Sequence, residues 1–251
     1  MDQRLSVVVM AAGKGTRMNN PSMAKVMYTI NDRPMVEWVV DLAVRLDSSR
    51  TVVVVGWQKD SVIGHLARTH PAAACVEQNP QLGTGHAVMQ AGPALRGFAG
   101  DVLVLSGDVP MLTFGTTRAL IDTHRSARAA ATVLTAVLED ATGYGRILRD
   151  RPGGAVTGIV EQKDATEEQR AVREINTGIY VFDAGRLFEG LSHINTDNAQ
   201  HEYYLTDVFR YFWRNNLPVA AVVADDPLEV SGINTPAQLE EARRLLAGHG
   251  S

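Results

Sequence analysis

The chain has a single cysteine, Cys75, among 251 residues, so no internal disulfide can form and a reducing compartment is the simplest setting. Long apolar runs are also missing. A membrane-spanning helix needs about 18 to 20 consecutive apolar residues, and the run Val7 to Ala12 is far shorter. It is too short for a signal-peptide core as well, and no cleavage region precedes the basic residues that follow it. A cytoplasmic protein with no membrane partner is the expectation. Charge of one sign is not in excess: 24 Lys and Arg stand against 28 Asp and Glu, a net charge of −4. That balance gives no signature of nucleic-acid binding and makes basic residues informative only where they cluster. No fixed-period repeat or low-complexity linker interrupts the chain. What is present is the composition of a globular protein, 45% hydrophobic and 21% charged, long enough for one substantial α/β domain, alone or with two lobes.

The cationic cluster lies in the stretch Leu5 to Lys25, LSVVVMAAGKGTRMNNPSMAK. Leu5 to Ala12 is apolar apart from Ser6 and rich in β-branched residues, as a strand buried on both faces would be. Gly13 and Gly15 then allow a sharp turn that exposes backbone N–H groups, and Lys14, Arg17 and Lys25 supply positive charge, a combination suited to a phosphate chain. The loop fits neither better-known phosphate motif. A dinucleotide fingerprint needs a third glycine opening a helix, and a P-loop needs GxxxxGK followed by Ser or Thr. An ordinary strand-exit turn with solvated charges is the competing reading.

Along the chain, apolar residues at helical spacing predict a helix over Pro34 to Leu46, with Pro34 at its first position, and another over Lys59 to Arg68. Thr51 to Val55, Ala73 to Glu77, Asp101 to Leu105 and Ala129 to Leu138 read as strands. The alternation implies right-handed crossovers and a mostly parallel sheet. Arg149 to Gly154 reads as a turn between two strands of a second lobe, ending at Glu161. The charged run Asp164 to Glu174 reads as a solvated loop or helix face. A strand over Glu174 to Phe182, a helix over Tyr203 to Asn215, a strand over Pro218 to Ala224 and a final helix through Leu246 complete the expectation.

Two further loops carry chemistry. In Glu77 to Gly92, EQNPQLGTGHAVMQAG, backbone groups can approach a planar base, and Gln78 offers both a donor and an acceptor to an imide-like edge. A helix-capping turn with Thr84 as the cap is the equally weighted alternative, and His86 reads as a packing or hydrogen-bonding residue. The strand Asp101 to Leu105 runs into Ser106-Gly107-Asp108. Ligands gather beyond the carboxyl ends of strands in open α/β sheets, so Asp108 is placed to hold Mg2+ beside a phosphate. Thr113 and Thr116 are better placed than Asp108 to cap the predicted helix Thr116 to Ser126.

In order, AAGKGTRM, LGTGHAV, SGDVP, GYGRI, VEQKDA, EINTGIYVF, NAQHEYYLTD and GIN resemble the N-acetylglucosamine-1-phosphate uridyltransferases of the sugar-nucleotidyltransferase superfamily, over nearly the whole chain. The resemblance implies a doubly wound, mostly parallel, Rossmann-like sheet with a smaller β-rich sugar-binding lobe. Within one domain, 1–251, the nucleotide-binding part would cover about 1–110, the sugar-binding part about 111–234 and a terminal helix 235–247. It implies transfer of UMP from UTP to N-acetylglucosamine 1-phosphate with Mg2+. Arg17 and Lys25 would act on the phosphates; Ala11, Ala12, Gly13, Lys14, Gln78, Gly83 and Thr84 would surround the nucleotide. Gly143, Glu161, Asn176 and Thr177 would contact the sugar, and Asp108 and Asn234 would coordinate the metal.

The chain departs from that family in places. Ala24 replaces the usual proline before Lys25, and the loop Asn19 to Ala24 is one residue longer. His201 stands where the family has glycine, and Thr235 replaces a second asparagine after Asn234. The hexapeptide-repeat β-helix of many relatives is absent from the sequence, so neither acetyl transfer nor their trimer is expected. Another sugar 1-phosphate, dTTP, or a nucleotide-sugar sensor without turnover are the alternatives.

Overall fold

A computed structural model describes residues 4–18 and 20–248; Asn19, first residue of the lengthened loop, lies outside the described residues, as do the chain ends. The strands are β1 (Leu5–Ala11), β2 (Thr29–Ile30), β3 (Arg33–Pro34), β4 (Arg50–Val55), β5 (Ala74–Glu77), β6 (Asp101–Ser106), β7 (Ala131–Val137), β8 (Gly145–Arg149), β9 (Val156–Val160), β10 (Glu174–Asp183) and β11 (Val219–Val223). The helices are α1 (Met35–Arg45), α2 (Lys59–Thr69), α3 (Thr84–Gln90), α4 (Phe114–Ala127), α5 (Glu167–Arg170), α6 (Ala184–Leu191), α7 (Asp207–Arg214) and α8 (Pro236–Gly248).

The main sheet runs β11-β7-β10-β6-β1-β4-β5, with β8 paired to β10 and β9 to β8. β1 is parallel to β4 and β6, β4 to β5 and β7 to β11, while β10 runs antiparallel to both β6 and β7. Every strand of that path except β10 therefore points the same way. Side chains alternate across it, as the period of two requires. Val7, Val9, Val53, Val55, Leu103 and Leu105 pack with residues of α1, α2 and α4 on one face. Val8, Val52, Val54, Val102 and Val104 pack with α3, α6 and α7 on the other. Burial on both faces is why these strands read as unbroken Val/Leu runs rather than alternating ones. No helix among the described residues is long and apolar enough to cross a membrane.

A third, smaller cluster joins Met18, Ile30 and Met35 to Ile233, Leu239 and Ala242. Arg243 of α8 donates through Nε and Nη2 to the Thr29 carbonyl at 3.0 and 2.8 Å. The last helix thus holds the hairpin that follows Lys25. Thr235 explains itself here: its hydroxyl accepts from Gln238 N at 3.2 Å and its own N–H donates to Gln238 Oε1 at 3.1 Å, a capping box that starts α8 directly after Asn234.

Three local expectations need correction. Pro34 pairs with Thr29 in the β2–β3 hairpin, one residue ahead of α1; lacking an N–H, it suits a strand edge and a helix entrance equally. The helix expected from Tyr203 begins at Asp207, because Tyr203 to Leu205 are bound to the loop before α3 instead. Thr84 is the first residue of α3 and does not cap it: its hydroxyl accepts from Leu205 N at 3.0 Å. The charged run after Asp164 contains the single turn α5, closed by a capping box between Thr166 and Gln169.

Candidate functional site

Because β1, β4, β5 and β6 are parallel, their carboxyl ends share one edge of the sheet, and a cavity of about 310 Å³ opens there. Ala11, Ala12 and Gly13 from the exit of β1 line it, with Gln78 after β5 and Asp108 after β6. Lys25, Gly83 and Thr84 complete the expected set within it. Gln81 and Glu202, which motif reading did not single out, line it too. Glu202 arrives because the strap before α7 docks on the Leu82–Gly85 loop: Tyr203 N donates to Leu82 O at 2.8 Å and Gly85 N to Tyr203 O at 2.7 Å. Gly83, at φ +105°, admits the strap; a Cβ there would sit 2.6 Å from Tyr203 O.

Gln78 is buried, with Nε2 donating to Gly83 O at 2.9 Å, so its Oε1 is the group left to accept from a ligand. His86 Nδ1 lies 3.3 Å from the same Nε2, the local bonding role expected of it.

At the phosphate end, Lys25 Nζ donates to Asp108 Oδ2 and, at 3.0 Å, to Asn234 Oδ1. The Lys25 and Asp108 side chains are only 15% and 14% exposed. Asn234 reaches from the far end of the chain because Ile233 N donates to Asp108 O at 2.9 Å, while Asn234 Nδ2 donates to Gly232 O at 3.0 Å and turns Oδ1 toward the lysine. One carboxylate and one amide oxygen thus converge on the Lys25 ammonium, a hard-oxygen pair of the kind that could hold Mg2+. Among the described residues no group of three or more His, Cys, Asp and Glu gathers for a metal.

Lys14 and Arg17 do not line this cavity. Lys14 Nζ lies 5.5 Å over the Trp57 ring, and Arg17 is exposed on the short helical turn Thr16–Met18. Burial pushes the Tyr144 phenol up; Asp108 adds to that, while Arg17 and the Gly232 N–H oppose it.

The expected sugar residues meet where β8, β9 and β10 join. Asn176 is in register with Gly145, and a Cβ on Gly145 would lie 3.4 Å from both Asn176 Cβ and Glu161 Oε2. Gly143 N donates to Gln162 Oε1 at 3.3 Å, bringing that loop beside Glu161. A register shift between Asn176 and Tyr180 bulges β10 here. Within it, Asn176 Nδ2 donates to Tyr180 OH at 2.8 Å, and Thr177 Oγ1 donates to Leu134 O at 2.7 Å. The Thr177 hydroxyl is spent inside the sheet. Burial holds the Glu161 carboxyl above the usual range; the Thr206 hydroxyl, donating at 3.1 Å, opposes this, and Asp164, Asp207 and Glu202 reinforce it.

The fold is similar to that of UDP-glucose pyrophosphorylase complexed with UDP-glucose, with a TM-score of 0.74 at 18% identity, covering 98% of this chain and 99% of that one. In sequence the chain is 48% identical over 241 residues to the bifunctional protein GlmU of Geobacter metallireducens, covering 96% of this chain and 50% of that protein. It is 48% identical over 242 residues to that of Streptomyces avermitilis, again covering 96% of this chain and 50% of the relative. The chain therefore spans about half the length of these curated relatives. A family model described as nucleotidyl transferase matches residues 6–227, and the chain belongs to that family.

Proposed function

We propose that this chain transfers UMP from UTP to N-acetylglucosamine 1-phosphate, releasing pyrophosphate, in an Mg2+-dependent reaction. One observation carries the reading: Lys25 and Asp108 border the same cavity as Gln78, Gly83 and Thr84, and Asn234 joins them through its bond with Lys25. A nucleotide spanning that distance has its base at one end and its phosphates at the other. The identity to the GlmU relatives, 48% over 241 residues in the Geobacter case, supports the choice of substrates.

The sugar-phosphate oxygen attacks the α-phosphorus in line, a P–O bond forms to it, and the bond to the β-phosphate bridging oxygen breaks. The nucleophile is already an anion, so the reaction needs alignment and charge neutralisation rather than a protein base. Arg17 and Lys25 neutralise phosphate charge, with Lys14 at the loop's outer side. Asp108 and Asn234 would hold Mg2+, which would supply Lewis-acid neutralisation of the phosphate oxygens. Gln78 Oε1 accepts from the imide N–H of uracil, and backbone groups of Ala11, Ala12, Gly13, Gly83 and Thr84 approach the nucleoside. Gly143, Glu161 and Asn176 hold the sugar, and Thr177 keeps the bulge that presents Asn176. In this reading the nucleotide part covers about 1–110 and the sugar part about 111–234.

The test is pyrophosphate release across UTP, dTTP, ATP and a panel of sugar 1-phosphates. The reading expects release that needs UTP, N-acetylglucosamine 1-phosphate and Mg2+ together. Preference for glucose 1-phosphate or dTTP would keep the chemistry and reject the substrate. UTP binding without product in any combination would replace the enzyme with a sensor.

A further inference from the structure

We infer that the Lys25 ammonium is a built-in stand-in for the divalent cation: it competes for the Asp108 and Asn234 oxygens and turns to the nucleotide phosphates only when the cation arrives. The inference rests on the reading of Asp108 and Asn234 as cation ligands.

The lysine's place is built rather than incidental. Its stem lies against Gly15, where a Cβ would come within 2.6 Å of Lys25 Cβ, 3.2 Å of Cγ and 3.4 Å of Cδ. Any side chain at Gly15 would push the stem away, and the φ of +60° there suits glycine on its own account. At the head, Nζ donates to both candidate ligand oxygens at once. The Gly232 carbonyl fixes which end of the Asn234 amide faces inward, at 3.0 Å. The result is a neutral, mostly buried pair in which the carboxylate is not left unpaired.

Charge then dictates the order of events. A divalent ion on Asp108 Oδ2 with Lys25 still bound would place three positive charges against one carboxylate in a partly buried site. That arrangement is strongly unfavourable, because like charges a few ångströms apart repel more as water is excluded. Entry of the bare cation must displace the lysine, whereas a nucleotide triphosphate brings the negative charge that accommodates both. Divalent binding without nucleotide is therefore weak, and the freed ammonium is handed to the phosphates within reach of the same stem.

The prediction is counter-intuitive for a residue placed in the machinery: removing Lys25 should improve divalent binding to the nucleotide-free protein. Mn2+ titration followed by electron paramagnetic resonance on wild type, Lys25→Met, Lys25→Ala and Lys25→Arg reads this without turnover. Lys25→Met and Lys25→Ala should bind Mn2+ about tenfold or more tightly than wild type, the scale of a lost charge-assisted bond that no longer opposes the metal. Lys25→Arg, which keeps the charge, should stay weak. The melting temperature of Lys25→Met, which carries an uncompensated Asp108, should fall without metal and recover with Mn2+, and Lys25→Met with Asp108→Asn should abolish both effects. Equal Mn2+ affinity in wild type and both neutral variants would overturn the displacement while leaving Asp108 and Asn234 as ligands. Absence of Mn2+ binding in every variant, and in wild type with UTP, would overturn the cation site and the displacement together.

Discussion

The indole N–H of Trp57 donates to the carbonyl oxygen of Pro21 at 3.1 Å. The Gln58 amide donates to the same oxygen at 3.1 Å, and Trp57 N donates to Ala12 O at 3.2 Å, so one turn after β4 ties the start of the phosphate loop and its Pro21 segment together. Lys14 rests over the same indole. The segment lengthened before Lys25 is therefore held from outside.

Trp57→Phe keeps an aromatic ring, though a smaller one, and loses the donor. Each such hydrogen bond is worth about 1 kcal/mol, and this one is exposed, so the expected cost is a rise of about threefold in the KM for UTP with little change for the sugar phosphate. Amide hydrogen exchange across residues 15–25 should quicken in the same variant. Unchanged exchange and unchanged KM would show that the loop holds its shape without Trp57.

Asp108→Ala and Asp108→Asn should lower turnover by about a hundredfold or more, given that a bound metal supplies several kcal/mol of charge stabilisation in such reactions. The fold should persist, because it is the Asp108 backbone carbonyl that holds Ile233 N. Chelation of divalent ions should abolish pyrophosphate release in wild type, and added Mg2+ should restore it. An active Asp108→Ala enzyme would remove the residue from the machinery.

Glu161 gives a pH-dependent prediction. Its folded carboxyl is raised by burial, so it disfavours the folded state increasingly as pH rises from the unfolded value through the folded one. Glu161→Gln removes that penalty. Relative to wild type, its melting temperature should rise as pH increases upward from about 4.5, and the difference should level off once Glu161 is fully ionised. The same variant should raise the KM for the sugar phosphate more than that for UTP. A pH-independent difference in melting temperature would mean that the carboxylate is well solvated.

His201 sits at φ +54°, the left-handed region that favours glycine. Relief of about 1–2 kcal/mol of strain, less the extra freedom glycine gains when unfolded, about 0.5–1 kcal/mol, leaves a small net gain. His201→Gly should raise the melting temperature by about 1–3 °C in a chain of this size. A lower melting temperature would mean that the His201 side chain contributes more than its backbone conformation costs.

The parallel half of the sheet was legible because β1, β4 and β6 are buried on both faces, which forces continuous β-branched runs into the sequence. That Gln78 and Asp108 line the cavity follows from a related feature: they come one and two residues after β5 and β6, and strand ends are where such sheets place ligands. The start of α7 was not legible, since Tyr203 and the Leu205 N–H bond to the Leu82–Gly85 loop more than a hundred positions earlier. Glu202 and Gln81 were missed with it. Trp57 carried no local signal, because its partner Pro21 is 36 positions away.

Composition, periodicity and motif order by themselves determined the chain's class, its strand-helix alternation and the residue types available for phosphate, base and cation. Those are properties of neighbours along the chain or of strand ends, where backbone geometry leaves little choice. Only the tertiary structure decided that Lys25 meets Asp108 and Asn234, residues 83 and 209 positions distant, and that its ammonium faces their oxygens. The physical reason is that side-chain pairing across such separations is set by sheet order and by the docking of α8 on the β2–β3 hairpin, and neither is written in any local stretch of sequence.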